Sequence, residues 1–228
     1  MRVERLSLIS GAERARGLSV IIDVFRAFTT AAYVLANGAE RIIPVGSLEE
    51  AFRLKRINPG WILMGERDGR RVEGFDYGNS PYEVRDVDFT GKTVIQTTGA
   101  GTQGVVRASG AEGILLASFV TAGATIEHIK KTRPKLLSIV AMGNRGVEPS
   151  IEDELCADYI EMGLRGIKVD FEEMKRRIRA SPSGAKFFDP TQPQYRPEDF
   201  YMALELDRFS FILKAFRENL LYVVKQPP

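Results

Sequence analysis

Short runs of apolar, β-branched residues alternate with helix-like stretches along most of the chain. Residues 18–22 (Leu-Ser-Val-Ile-Ile) form a run typical of a buried parallel strand, and the run ends at Asp23. Residues 31–36 then favour a helix, which the dipeptide Asn37-Gly38 ends. Residues 41–45 predict the next strand. The pattern therefore predicts a strand–helix–strand unit.

The same unit recurs later in the chain. Residues 91–95 echo residues 17–21, and residues 106–112 (Val-Arg-Ala-Ser-Gly-Ala-Glu) echo residues 34–40 (Val-Leu-Ala-Asn-Gly-Ala-Glu). Residues 114–117 supply the strand that follows. We infer an internal duplication, whose two copies span about residues 17–45 and 91–117.

Strands that alternate with helices predict an α/β fold, a three-layer α/β/α sandwich with a largely parallel or mixed sheet in the middle. The length suits a single domain over residues 1–228. A further strand is predicted at residues 135–141 and a further helix at residues 151–162. The apolar positions between residues 198 and 224 predict a C-terminal helix that closes the core.

Ligands of such sheets bind beyond the carboxyl ends of the strands. Four loops start there: those that begin at Asp23, Thr97 and Gly143, and the loop over residues 66–81. The last is long, rich in glycine and charge, and has neither helical nor alternating periodicity, which favours a functional loop without regular structure. We therefore seek the functional residues in these four loops.

Composition removes several classes of chemistry. One Cys and one His exclude an intramolecular disulfide, a four-ligand Cys/His zinc site and any reaction that needs two histidines. His128 lies in an amphipathic stretch, and we interpret it as a structural or surface residue. The 32 Lys and Arg and 30 Asp and Glu are spread along the chain, so we expect no nucleic-acid partner. No secretory signal or membrane-spanning run is visible, so we expect a cytoplasmic protein.

Residues 97–104 contain a Gly-x-Gly-x-x-Gly turn between a predicted strand and a predicted helix. Such a turn directs backbone N–H groups toward an anion. A dinucleotide site also needs an acidic residue at the end of the next strand, where this chain has residues 116–119 (Leu-Ala-Ser-Phe). The turn therefore favours phosphate or another oxyanion, and a purely structural turn stays open.

Three of the segments expected at the edge of the sheet begin with an acidic residue. Asp23 follows its strand directly, where it could ligate Mg²⁺, act as a nucleophile or cap a helix. Phosphatases of the haloacid dehalogenase type carry a second Asp two residues later, and Phe25 in that position argues against their mechanism. Glu66 opens the long loop, and Glu152-Asp153 begin a helix, where acidic residues are often only dipole compensation.

Placed at one sheet edge, these four carboxylates predict a Mg²⁺ site, because Mg²⁺ is held by a few carboxylates together with water and substrate oxygens. Arginines in the same loops predict contacts to a polyanionic substrate. They are Arg26, Arg67 and Arg145.

Several segments resemble the signature of the 2-phosphosulfolactate phosphatase family. They are residues 22–30 (Ile-Asp-Val-Phe-Arg-Ala-Phe-Thr-Thr), 35–39, 65–67, 74–81, 91–94 with Thr97-Thr98, and Glu152-Asp153. The most distinctive is the loop at residues 74–81, Gly-Phe-Asp-Tyr-Gly-Asn-Ser-Pro. The resemblance, which runs from about Leu18 to Gly163, implies an α/β fold that is particular to this family. It also implies Mg²⁺-dependent hydrolysis of 2-phospho-3-sulfolactate in coenzyme M biosynthesis.

One departure concerns the glycine turn. The family usually has Thr-Thr-Asn-Gly-Thr where this chain has Thr-Thr-Gly-Ala-Gly-Thr at residues 97–102. The Asn is absent and one residue is added. The exact substrate therefore stays open even where phosphatase chemistry is expected.

The residues and the resemblance together predict Mg²⁺-assisted hydrolysis of a small anionic phosphate monoester, most specifically 2-phospho-3-sulfolactate to 3-sulfolactate and phosphate. The expected catalytic residues are Asp23, Glu66 and Asp153, and the expected metal ligands are Asp23, Glu66, Glu152 and Asp153. The expected substrate-binding residues are Arg26, Thr29, Thr30, Arg67, Asn79, Ser80, Thr97, Thr98, Gly99, Gly101, Thr102 and Arg145. Two alternatives stay open: an NAD(P)-linked oxidoreductase that uses the turn at residues 99–104, and a non-catalytic anion-binding module. A homodimer is also left open.

Overall fold

A computed structural model describes all 228 residues of the chain. Its ten strands are β1 (Arg2–Ser7), β2 (Gly17–Ile22), β3 (Arg41–Pro44), β4 (Ile62–Arg67), β5 (Arg70–Arg71), β6 (Thr93–Thr97), β7 (Ala111–Ala117), β8 (Leu136–Ala141), β9 (Ile212–Arg217) and β10 (Leu221–Gln226). Its ten α-helices are α1 (Leu8–Arg14), α2 (Ala27–Ala36), α3 (Leu48–Ile57), α4 (Pro81–Val84), α5 (Gly101–Arg107), α6 (Ala122–Thr132), α7 (Ile151–Leu164), α8 (Phe171–Ala180), α9 (Pro182–Ala185) and α10 (Pro197–Ala203). Two 3₁₀ turns lie at Phe119–Thr121 and Lys186–Phe188.

All ten strands join in one mixed sheet with the order β1-β8-β2-β7-β9-β10-β3-β6-β4-β5. The strands β1, β8, β2 and β7 run parallel to one another, and so do β3, β6 and β4. Between these two groups lies the β9–β10 hairpin, which pairs antiparallel with β7 on one side and with β3 on the other. The prediction of a mixed sheet is confirmed.

Both predicted repeat units fold as a strand, a helix and a strand: β2-α2-β3 and β6-α5-β7. The units exchange their strands. The first strand of one unit, β2, pairs with the last strand of the other, β7, and β6 pairs with β3 in the same way. The two units are therefore interlocked across the central hairpin rather than lying side by side.

Helices cover both faces of the sheet because successive side chains of a strand point to opposite faces. On one face Ile21 packs in a core shared with α1, α2 and α5. On the other face Val20 and Ile22 pack with α6, α7 and α8. The face that carries α6, α7 and α8 also carries α3, which lies at the far end of the sheet over Ile43 and Ile95. The prediction of a three-layer α/β/α sandwich is confirmed.

The prediction of a C-terminal helix over residues 198–224 is wrong. Only α10 is helical there, and the β9–β10 hairpin follows it. Over residues 213–216 buried and half-buried positions alternate as in a strand, and the two arms meet in a tight turn at residues 218–220. Without the hairpin, β7 and β3 would have unpaired edges inside the sheet. The free energy gained by pairing with them outweighs the preference for a helix that the spacing of the apolar residues indicates.

The long loop at residues 66–81 is more regular at its start than predicted. The strand β4 extends to Arg67 and turns back through Asp68 and Gly69 into β5. Both turn residues have positive φ, 55° and 77°, which an Asp-Gly hairpin turn requires. The prediction of a loop without regular structure is therefore wrong for residues 66–71. None of the helices combines the length and apolar character that a bilayer-spanning segment needs.

We expect the chain truncated after Arg208 not to fold, because the deletion removes both strands between β7 and β3. Circular dichroism and thermal unfolding check this: the truncated chain should show no cooperative transition. Deletion of Pro227 and Pro228 alone, which follow β10, is the matched control and should leave the melting temperature within about 2 °C. A cooperative transition in the truncated chain would show that the hairpin is dispensable.

Candidate active site

A cleft of about 970 Å³ lies where the loops after β2, β4, β6 and β8 meet. The loops after β2 and β6 touch directly even though the two strand groups run in opposite senses. The Gln96 side-chain amide donates to the Ala27 carbonyl at 3.1 Å. A Cβ atom at Gly101 would lie only 2.8 Å from Asp23 Oδ2, so this position needs glycine. The two repeat units thus build one shared cleft.

Asp23 lies at the centre of this cleft and is only 5% exposed. Its Oδ1 accepts the Ala27 N–H at 3.0 Å, at the start of α2. The pKa of Asp23 is raised to about 7, mainly by burial and to a smaller extent by the carboxylates of Glu66 and Glu152, while the backbone N–H groups of Ala27 and Gly101 act to lower it. Asp23 therefore exists in both protonation states near neutral pH, as a proton-transfer group requires.

Glu66 braces the wall formed by β4 and β6. Its Oε1 accepts the Gly99 N–H at 2.8 Å and its Oε2 accepts the Gly69 N–H at 2.7 Å. The carboxylate thereby links the glycine turn to the β4–β5 hairpin. Both oxygens keep one lone pair that faces no backbone donor.

Asp153 braces the opposite wall from the first turn of α7. Its Oδ1 accepts the Val24 N–H and its Oδ2 accepts the Gly143 N–H, both at 2.8 Å. Burial, Glu152 and Asp23 raise the pKa of Asp153 above its usual value, and the two N–H groups act against them. Asp153 is 2% exposed and does not line the cleft, so it fixes the loops after β2 and β8 from behind.

Arg26 is a buried clamp. Its Nη1 donates to Asp199 Oδ2 at 2.8 Å and to the Gln194 carbonyl at 2.9 Å, and its Nη2 donates to the Gly69 carbonyl at 3.0 Å. Asp199 is fully buried and also accepts the Ser80 hydroxyl at 2.6 Å. Removing either partner of such a pair leaves an uncompensated buried charge. Arg26 therefore ties the β4–β5 hairpin to the C-terminal part of the chain while lining the cleft.

Two other arginines line the cleft, and only one of them is paired with a carboxylate. Arg67 donates to Thr97 Oγ1 at 2.9 Å and to the Glu66 carbonyl, and no carboxylate pairs with it. Arg145 is exposed and forms an ion pair with Asp68. Arg67 is thus the arginine whose charge is left for a ligand.

The glycine turn after β6 uses its own donors. The Thr98 N–H donates to Thr102 Oγ1 at 2.9 Å, and the Thr102 N–H donates to Thr98 Oγ1 at 3.2 Å. The Gly99 N–H donates to Glu66, and the Gly101 N–H faces Asp23. The N–H groups of Gly99 and Gly101 therefore position carboxyl groups, and those of Thr98 and Thr102 are used within the turn.

The sequence of the chain matches the family described as 2-phosphosulpholactate phosphatase over residues 5–183. The chain belongs to this family. It is 34% identical over 206 residues, 89% of this chain and 88% of the relative, to the probable 2-phosphosulfolactate phosphatase of Bacillus subtilis. The protein of the same name from Thermoplasma acidophilum is 35% identical over 160 residues, 70% of this chain and 71% of that protein. The one from Caldicellulosiruptor saccharolyticus is 41% identical over 144 residues, 62% of this chain and 60% of that protein.

The cleft of this 2-phosphosulpholactate phosphatase family member brings together nine of the residues predicted from the sequence. They are Asp23, Arg26, Glu66, Arg67, Asn79, Thr98, Gly99, Arg145 and Glu152. The others lie behind the lining and hold it: Thr29, Thr30, Ser80, Thr97, Gly101, Thr102 and Asp153. Thr29, for example, donates to the Val24 carbonyl at 2.9 Å, and Ser80 caps α4. His128 lies on α6, outside the cleft, as expected.

Sequence reasoning missed three residues of the segment after α8. Lys186 and Tyr195 line the cleft, and Asp199 holds Arg26. All three lie beyond the residues that match the family. The segment carries no motif, and its prolines and glycines indicate only that regular structure is interrupted. Only the tertiary packing against Phe25 shows that it reaches the site.

We expect Asp23→Asn to stabilise the ligand-free protein, because the folded state holds the Asp23 pKa near 7 and the unfolded state near its usual value. Ionised Asp23 therefore destabilises the fold increasingly from about pH 4 to 7. At about 1.4 kcal/mol per pKa unit the effect is a few kcal/mol, and each kcal/mol shifts the melting temperature by about 2–4 °C in a chain of this size.

Thermal unfolding in the presence of a chelator measures this. The melting temperature of Asp23→Asn should exceed that of the unaltered protein by several degrees at pH 8 and by little at pH 4.5. Asp86→Asn, at an exposed side chain, is the control and should shift nothing. A destabilised Asp23→Asn at pH 8 would contradict the expected cost of burying the ionised carboxyl of Asp23.

Proposed function

We propose that the protein is a phosphatase that hydrolyses 2-phospho-3-sulfolactate to 3-sulfolactate and phosphate. The names of its relatives support this substrate. The observation that carries the proposal is the buried carboxyl of Asp23, with its pKa near 7, in a cleft that also holds an arginine without a counter-ion, Arg67. One group can exchange a proton with water, and the other can hold a phosphate oxygen.

Asp23 is the residue that we assign to the attacking water. In its ionised form the carboxylate accepts a proton from a water molecule aimed at phosphorus, and its pKa suits this exchange near neutral pH. The Ala27 N–H fixes the orientation of the carboxylate, and Gly101 leaves the space that it occupies. Positioning of this kind contributes to hydrolysis because phosphoryl transfer depends mainly on alignment and charge stabilisation.

Arg67 is the residue that we assign to the phosphate. Its guanidinium is held by Thr97 and by a backbone carbonyl, so it is pre-oriented without being neutralised. Planar guanidinium donors match the oxygens of a phosphate, and their charge is most useful where negative charge spreads in the transition state. Arg145, exposed and paired with Asp68, is the second arginine within reach of the cleft.

We propose Mg²⁺ as the cofactor, with Glu152 as the residue that would hold it, beside Asp23. Both carboxylates line the cleft, and Glu152 raises the pKa of Asp23. No group of three or more His, Cys, Asp or Glu side chains forms a closed metal site. The donors still suit Mg²⁺, which is commonly held by one or two carboxylates together with water and substrate phosphate. Bound there, the ion would offset the repulsion between these carboxylates and an anionic substrate.

Glu66 and Asp153 serve this site as braces, because each carboxylate accepts two backbone N–H groups. The dinucleotide alternative gains no support from the glycine turn, since its N–H groups at Thr98 and Gly99 donate within the protein. A role in coenzyme M biosynthesis, a cytoplasmic location, a homodimer and the absence of a nucleic-acid partner stay predictions.

We expect the unaltered protein to release phosphate from 2-phospho-3-sulfolactate and Asp23→Asn to lose about 10²–10⁴-fold in kcat/KM, the contribution of a proton-transfer group. A colorimetric phosphate assay measures both, and Asp86→Asn, at an exposed side chain, should keep full activity. Activity of Asp23→Asn within tenfold of the unaltered protein would remove Asp23 from the reaction. Substrate binding without phosphate release would instead favour the anion-binding module.

Removal of divalent cations should abolish activity, because the negative cleft then meets an anionic substrate without compensation. We expect protein treated with EDTA and then desalted to lose at least about 10²-fold in rate and to regain it with millimolar Mg²⁺. Isothermal titration of the treated protein with Mg²⁺ should detect binding that weakens in Glu152→Gln. Full activity in EDTA would show that the arginines alone neutralise the substrate.

A further inference from the structure

The segment over residues 181–196, here named the C-terminal strap, forms one side of the cleft. It contains α9 and the 3₁₀ turn Lys186–Phe188. Three contacts fasten it to the turn after β2 and to α7: the Ser183 hydroxyl donates to the Glu152 carboxylate, the Phe187 ring lies 4.7 Å from that of Phe25, and Arg26 donates to the Gln194 carbonyl at 2.9 Å. The strap is therefore held in a fixed position beside Asp23.

Lys186 is the cation that the strap contributes to the cleft lining. Its Nζ lies 4.5 Å from the centroid of the Tyr195 ring and makes no hydrogen bond or ion pair. Of the other cations in the lining, Arg26 pairs with Asp199 and Arg145 with Asp68, whereas Arg67 has no carboxylate partner but donates two hydrogen bonds. Burial lowers the pKa of Lys186, although the nearby carboxylates of Glu152, Asp23 and Asp153 act in the opposite direction.

The surroundings of Lys186 differ from those of Arg67. The charged groups that act on Lys186 are Glu152, Arg26, Asp23 and Asp153, all on the loops after β2 and β8 or on the helix behind them. Arg67, by contrast, hydrogen-bonds to residues at the ends of β4 and β6. Both cations line the one cleft, so an ester whose phosphate is held by Arg67 could present its second anionic group to Lys186.

We propose that Lys186 is a specificity-determining residue that binds the second anionic group of the substrate, the sulfonate or carboxylate that lies away from the phosphate. The inference rests on the proposed phosphatase function and adds a residue from outside the segment that matches the family. Its physical basis is the unpaired ammonium, because a partly desolvated charge gains most from a partner that arrives with the ligand. The ring of Tyr195 holds the ammonium in place by a cation–π contact.

Two esters and three variants test the proposal. The esters are 2-phospho-3-sulfolactate and phenyl phosphate, which carries no second anionic group. The variants are Lys186→Gln, Lys186→Arg and the control Lys130→Gln, at an exposed position of α6. We expect Lys186→Gln to lose about 10- to 100-fold in kcat/KM for 2-phospho-3-sulfolactate, mainly through KM, the loss expected for a hydrogen bond to a charged group. For phenyl phosphate it should stay within about threefold.

The remaining outcomes also decide the proposal. Lys186→Arg should keep most of the discrimination between the two esters, and Lys130→Gln should match the unaltered protein. An equal loss for both esters would place Lys186 at the phosphate, and no loss for either would remove it from the site. Either result overturns the proposal and leaves the phosphatase function standing.

A binding measurement separates failure of the inference from failure of the function. If the unaltered protein hydrolyses neither ester, the proposed function fails, and calorimetry with 3-sulfolactate and with inorganic phosphate decides the role of Lys186. The Gln variant should then bind 3-sulfolactate at least about tenfold more weakly and inorganic phosphate equally well. Equal affinity for 3-sulfolactate, or no detectable binding by the unaltered protein, overturns the inference. Unchanged melting temperatures confirm that the variants are folded.

Discussion

The antiparallel hairpin β9–β10 is the element on which the sheet depends. It lies between two groups of parallel strands that do not pair with each other directly, and its outer edges pair with β7 and β3. Without it both strands would present unpaired N–H and C=O groups in the middle of the molecule, at a high free-energy cost. The site inherits this dependence, because the loops that form it come from both groups.

The cleft concentrates negative charge that the fold alone does not favour. Burial and like charges raise the pKa of both Asp23 and Asp153, and Glu66 and Asp153 each accept two backbone N–H groups. The backbone donors of the cleft thus hold acidic side chains, and Arg67 and Lys186 are the cations of the lining without a carboxylate partner.

Local patterns in the sequence predict β2, β3, β6, β7 and β8, but not β1 or β5. The run ending at Asp23 is β2, and the cleft lies beyond the carboxyl ends of β2, β4, β6 and β8. Residues 212–224 form strands instead of the predicted helix. Their apolar positions fit both a helical and a strand periodicity, and only pairing with distant strands decides between the two. The spacing of the glycine turn predicts anion binding because spacing does not reveal which acceptor occupies the N–H groups of the turn. Lys186 gave no local signal, since its role arises from the packing of Phe187 on Phe25.

The exchange of strands between the two repeat units makes the molecule comparable to a homodimer fused into one chain. Each copy completes the other, as β2 beside β7 and β6 beside β3 show, so neither copy is a separable folding unit. The cleft lies where the two units meet, and they contribute different groups: one brings Asp23, the other brings Gly101, which leaves room for it. A site at such a junction forms only when both units are folded against each other.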